Sequence, residues 1–113
     1  MMRVTPMEVK DVKSLASQYQ VNNVYLVPFE HESRKKDDNT PAIWYRIIVD
    51  LQVSTQQQSI VLSTSRKTLR QFANVTKALE FVDSELQEGE FERISILRDV
   101  NNNYNDAINC VEL

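Results

Sequence analysis

The sequence predicts an α+β domain: an antiparallel sheet with two helices on one face, in the order α-β-β-β-α-β-β. Three observations predict it. Ile43, Tyr45, Ile47, Val49, Leu51 and Val53 alternate with Trp44, Arg46, Ile48, Asp50 and Gln52, the pattern of a long strand with one apolar face. A polar break, Ser54–Gln58, separates this run from Ile60-Val61-Leu62, and two such runs across a short break form an antiparallel hairpin. Apolar residues at steps of three and four mark a helix on either side of the strands.

Taken in order, Thr5-Pro6-Met7-Glu8 is a helix start, with Thr5 as cap, Pro6 in the first turn and Glu8 completing a capping box. Val9, Val12, Leu15, Ala16 and Tyr19 then form one stripe, with Lys10, Asp11, Lys13 and Ser17 turned to water. Val24–Phe29 is a short apolar strand. Pro28 lacks a ladder donor, which predicts a sheet edge or a strand end. His31–Ala42, polar and closed by Pro41, reads as a mobile loop. After the hairpin, Arg66–Phe72 either extends the third strand or forms a short one of its own. Asn74 caps a second helix carrying Val75, Ala78, Leu79, Val82 and Leu86 and ending near Gly89. Phe91–Val100 alternates as a strand with Ile94 and Ile96 on one face. Asn101–Asn103 is a turn, and Ala107–Leu113 a last strand.

The 113 residues form a single domain, 1–113, large enough to bury about two-thirds of the surface of the unfolded chain. It needs no disulfide or metal to fold. Hydrophobic residues make up 42% and charged residues 26%, which is ordinary for a globular protein. Cys110 is the only cysteine, which excludes an intrachain disulfide and a cysteine-based zinc site. The start of the chain has no apolar signal-peptide core, and no run reaches the ~18 apolar residues of a membrane span. A cytoplasmic setting is expected.

Catalytic chemistry finds little support. His31 is the only histidine and sits between Glu30 and Glu32, with no positioned partner for base catalysis and too few ligands for a metal. Cys110 lies near Ile108 and Val111, which predicts burial rather than the electropositive setting of a reactive thiol. Gly89 is the only glycine, which excludes a glycine-rich phosphate loop. No enzyme activity, catalytic residue, metal or cofactor is expected.

Charge is more informative. Arg66, Lys67 and Arg70 precede the second helix, and Asp83, Glu85, Glu88, Glu90 and Glu92 crowd its far end. Both signs oppose the helix dipole. Either the two clusters are solvated faces, or both are kept for partners: the basic one for a phosphate or an acidic protein surface, the acidic one for a basic protein or as a mimic of nucleic-acid phosphates. Trp44 and Ile48 share the strand face opposite the apolar one, where either the second or the N-terminal helix covers them or they form an exposed partner patch.

Residues 6–87, in the order α-β-β-β-α, resemble the double-stranded-RNA-binding domain in topology. That likeness implies an RNA contact at the start of the last helix, here Asn74-Val75-Thr76-Lys77 with one lysine; the family's glycine-proline loop element is missing. Leu62-Ser63-Thr64-Ser65-Arg66, Arg70-Gln71-Phe72 and Ala78-Leu79-Glu80-Phe81-Val82 also resemble small uncharacterised accessory proteins of plasmids and integrative elements. This second likeness implies a regulator or inhibitor that acts by binding.

The expected function is therefore a non-catalytic accessory protein acting through protein contact, with Arg66, Lys67, Arg70 and Trp44 as binding residues. The alternative is a nucleic-acid binder using Arg34, Lys35, Lys36, Arg66, Lys67 and Arg70. A homodimer is also open, formed if Ile43–Val53 or Val24–Phe29 lies at a sheet edge.

Overall fold

The computed structural model of the chain describes residues 2–86 and 93–113. Its elements are β1 (Val4–Glu8), α1 (Val9–Ala16), β2 (Gln20–Lys35), β3 (Pro41–Val53), β4 (Gln56–Ser63), α2 (Val75–Glu85), β5 (Ile94–Ile96) and α3 (Asn103–Ile108). The fold is α+β around one five-stranded sheet in the order β1-β4-β3-β2-β5. The three long strands are antiparallel to one another, whereas β1 runs parallel to β4 and β5 parallel to β2. The sheet is thus mixed, correcting the antiparallel expectation. The order is β-α-β-β-β-α-β-α, with a strand added before the first helix and a helix in place of the last expected strand.

The long alternating strand is β3, and it occupies the centre. Ile47, Val49 and Leu51 pack with Val24, Leu26, Ile60 and Leu62 against Val12 and Ala16 of α1 and Ala78 and Val82 of α2. The opposite face is also buried. Ile48 joins Val27, Val61 and Val4 under Ile108 of α3, with Tyr104 and Val111 alongside. Helices therefore cover both faces, not one.

Four local expectations yield to tertiary pairing. The capping box at Thr5–Glu8 is overridden, because Val4–Glu8 pairs with Ser59–Ser63 as a parallel edge strand. Pro6 is tolerated there because an edge strand need donate on one side only. Helix α1 then starts at Val9, with no side-chain cap from Glu8. Val24–Phe29 is not an edge: it pairs with β3 on one side and, at Val24–Leu26, with β5 on the other. Nor is β3 an edge, since β2 and β4 flank it. The strand-pairing route to a homodimer through either segment is thereby removed.

Pro28 fits by parity. The carbonyl of Leu26 accepts from the Leu97 N–H at 3.0 Å, and the carbonyl of Pro28 accepts from Nδ2 of Asn105 at 2.7 Å. Both point away from β3, so the absent proline N–H removes no bond from the β2–β3 ladder.

The stretch His31–Ala42 is not a loop but the end of a long hairpin. β2 continues to Lys35, β3 begins at Pro41, and the turn between them is tight. Asn39 takes a left-handed conformation (φ 67°), which asparagine tolerates better than most residues. Asp38 Oδ1 accepts from the backbone N–H and hydroxyl of Thr40. The second hairpin turns at Ser54-Thr55, and Gln56–Gln58 already belong to β4.

The last segment is a helix, not the strand expected over Ala107–Leu113. Asn102 Oδ1 accepts from the Asn105 N–H at 2.8 Å and caps α3. Cys110, expected to be buried, is exposed.

Helix α2 begins as expected. Asn74 Oδ1 accepts from the Lys77 N–H at 2.9 Å. Asn74→Ala should lower stability by about 1 kcal/mol, read from the urea midpoint; an unchanged midpoint would remove the cap from the account. The first turn of α2 has no acid and its last turn no base, so neither end carries a charge that complements the dipole. Glu85 is paired, its carboxylate 3.1 Å from Nζ of Lys13 on α1. The expected end of the helix near Gly89, the acids Glu88, Glu90 and Glu92, and the strand start at Phe91 lie outside the described residues.

Candidate functional site

The α3 side of the sheet extends past its buried centre. Beyond Ile48, β3 presents Arg46 and Trp44 on this face, and beyond Val27, β2 presents Phe29 and His31. These four side chains interlock. The Arg46 guanidinium carbon lies 3.8 Å from the centre of the Phe29 ring. The rings of His31 and Trp44 are 4.7 Å apart at 56°, and the Arg34 guanidinium approaches Trp44 at 5.8 Å. Cation–aromatic contacts of this kind are worth about 0.5–2 kcal/mol, more when desolvated.

His31 is half-buried and held in position. The strand bulges between Glu30 and Lys35, and in that bulge Nδ1 accepts the backbone N–H groups of Ser33 and Arg34 at 3.1 and 3.2 Å. With Nδ1 an acceptor, Nε2 carries the proton and donates to Oε1 of Gln71 at 2.9 Å. Both nitrogens are engaged, so the ring acts as a brace between β2 and the segment after β4. That segment continues the sheet, with Ser63 bridged to Leu69 and Phe72 to Tyr45.

Two depressions flank the cluster. One, of about 410 Å³, lies between β2 and the start of α3 and is lined by Phe29, Glu30, His31, Glu32, Arg46 and Asn105, among others. Two buried polar atoms of its lining, Nε of Arg46 and Oδ1 of Asn105, have no hydrogen-bond partner. Burial pulls the Arg46 guanidinium below its usual range, and the charge of Glu32 acts in the opposite sense. The other depression, a groove of about 470 Å³, is lined by Trp44, Thr64, Thr68, Leu69, Arg70, Gln71 and Phe72.

The groove brings together part of the expected binding set. Trp44 and Arg70 both line it, as do Thr64 and Thr68, whereas Arg66 and Lys67, on the turn between those threonines, do not. Arg66 and Lys67 are exposed, and Lys67 adopts a left-handed conformation (φ 61°). Lys67 faces another depression beside β1, shared with Glu8, Asp11 and Ser65. Arg70 is folded inward over Phe81 of α2 at 5.0 Å, with a buried Nε. The alternative set is further divided, since Lys35 and Lys36 stand at the far end of the β2–β3 hairpin beside Asp37 and Asp38.

Arg46, Phe29 and Asn105 were not legible as site residues. Arg46 does share the strand parity of Trp44, which was the available signal. Asn105 lies in an asparagine-rich run with nothing to single it out, and only the docking of α3 on β2 gives it a role.

Among the described residues, no group of three or more histidine, cysteine, aspartate or glutamate side chains could hold a metal ion. No helix among them is long and apolar enough to cross a membrane. No family model, curated protein or solved structure matches the chain.

Proposed function

We propose that this chain is a non-catalytic accessory protein of the cytoplasm that binds another protein through the groove beside Trp44. One observation carries the reading: Trp44 packs against His31 and Arg34 and lines an open groove together with Arg70. A braced tryptophan next to arginines is the composition of an interface hot spot. Bracing also lowers the ordering cost of binding. The engaged nitrogens of His31 favour binding over base catalysis. The resemblance to accessory proteins of plasmids and integrative elements suggests a regulator or inhibitor as the biological role.

The test compares the wild-type chain with Trp44→Ala and with the double variant Arg66→Ala, Lys67→Ala against a captured protein partner, with folding checked by circular dichroism. Trp44→Ala should weaken binding by about 30-fold, the equivalent of a ~2 kcal/mol hot spot, and binding should survive moderate salt. Tight binding to single- or double-stranded RNA or DNA that collapses as salt rises would replace this reading with the nucleic-acid one.

A further inference from the structure

Strand β3 lies inside the sheet over most of its length but not at its start. It begins at Pro41, yet β4 pairs with it only from Ile48 onward. Nearer the start, Phe72 takes that side, and Tyr45 both donates to it and accepts from it at 2.8 Å. Residues two apart on a strand send their backbone groups the same way. The Ile43 N–H and carbonyl and the Pro41 carbonyl therefore face the side that Phe72 occupies at Tyr45. The chain does not follow them there: past Phe72 it turns into Asn74, the cap of α2. Among the described residues, the only strand paired with Pro41–Trp44 is β2, on the other side. A short ladder end is left open next to Trp44.

Charge narrows what can fill it. No acid lines the adjoining groove. Arg34 approaches its Trp44, and Arg66 sits on the turn between its Thr64 and Thr68. Both arginines are exposed, and neither pairs with a carboxylate among the described residues. An extended peptide offers the alternating donors and acceptors that an open ladder end takes, and acidic side chains suit arginines. A nucleic acid would bring the charge but no peptide ladder. A second copy offering the same edge would set these arginines against their own kind.

We propose that the partner protein presents an extended acidic segment, which adds as a short strand to the open edge of β3 at Pro41–Ile43 and turns carboxylates toward Arg34 and Arg66. This inference rests on the reading of the Trp44 groove as a protein-contact site, and it names the chemistry and conformation of what enters. Backbone pairing supplies affinity that does not depend on the segment's sequence, and the arginines and Trp44 select among segments.

The experiment selects random displayed peptides on the full chain and synthesises the enriched ones. Expected are net-negative sequences that bind about tenfold more weakly when their acids are replaced by amides, or when alternate backbone N–H groups are methylated in one of the two registers. Bound peptide should slow amide exchange at Ile43 about tenfold or more, while the Trp44 amide, already in the β2–β3 ladder, stays unchanged. Arg34→Glu with Arg66→Glu should weaken the acidic peptides and not their amide versions. Failure to enrich any acidic peptide would overturn the proposal. So would indifference to both methylation registers, an unprotected Ile43 amide, or equal binding of a single-stranded DNA oligomer. Peptides that fail these tests yet lose affinity to Trp44→Ala would overturn strand addition and leave the groove reading standing. Peptides that pass them but ignore Trp44→Ala would uphold strand addition and overturn the groove reading.

Discussion

Replacing Ile48 by alanine is expected to destabilise the protein by about 2–5 kcal/mol, the cost of deleting a fully buried aliphatic side chain that the structure cannot collapse around. Ile48 is completely inaccessible and packs with Val27, Val61 and Ile108. It belongs to the smaller of two cores, the one closed by the six-residue helix α3. So short a helix has little stability of its own, and its docking must come from this contact. Ile108→Ala should therefore lower stability in the same range, and both variants should increase amide exchange over Asn103–Ile108. Urea unfolding monitored by Trp44 fluorescence reads the first effect. A loss under ~1 kcal/mol for Ile48→Ala would mean that α3 does not seal this face. Leu62→Ala, on the α1 and α2 side, provides the comparison within the larger core.

Asp50→Ala should cost about 3 kcal/mol by a different mechanism. Asp50 is 2% exposed in the middle of β3, with no cation paired to it among the described residues. Three donors hold its carboxylate: Ser59 Oγ at 2.7 Å, Tyr104 Oη at 3.0 Å and Gln57 Nε2 at 3.2 Å. Hydrogen bonds to a charged group contribute about 1.5–3 kcal/mol each, and donors left buried without an acceptor carry their own penalty. Tyr104 ties α3 to β3 through this bond, so Asp50→Ala should also loosen the helix. Tyr104→Phe should lose about 1.5–3 kcal/mol.

The same contact predicts a pH response. Burial, then the negative charge of Asp50 and its hydrogen bond, push the Tyr104 hydroxyl well above the usual phenol range. Below pH ~10 the tyrosine is protonated in both the folded and the unfolded chain, and its contribution is fully present. As pH rises further, the unfolded chain releases this proton while the folded one retains it, so stability falls by up to ~1.4 kcal/mol per pH unit from this group. Tyr104→Phe should be less stable at neutral pH but decline less steeply above pH ~10. Equal alkaline slopes in the two proteins would separate Tyr104 from the response.

Local patterns were legible wherever local forces decide the outcome. The β3–β4 hairpin follows from alternation alone, because a six-residue apolar stripe has only one register that buries it. Asn74 caps α2 because its side chain needs nothing beyond the next three residues. Trp44 and Arg70, expected as binding residues, both line one groove, since Phe72 takes the place beside Tyr45 after β4 ends. For α3 the signal was present and outweighed: Tyr104, Ala107, Ile108 and Val111 stand at helical spacing, and Asn102 is a cap. A stripe so short also suits a strand.

The sequence by itself determined the α+β class, the central antiparallel strands, the two long helices and the aromatic and basic residues near the groove. Side-chain periodicity and caps encode these within a few residues of chain. The tertiary structure alone decided the rest. It made Thr5–Glu8 an edge strand because β4 offered a ladder, and Pro28 an acceptor because α3 supplied Asn105. It closed the second face over Ile48 and Asp50, and it set Arg46 and Asn105 across one cleft from positions 59 residues apart in the chain, as their numbers give. Each of these outcomes depends on which distant segment comes alongside, and no local pattern carries that.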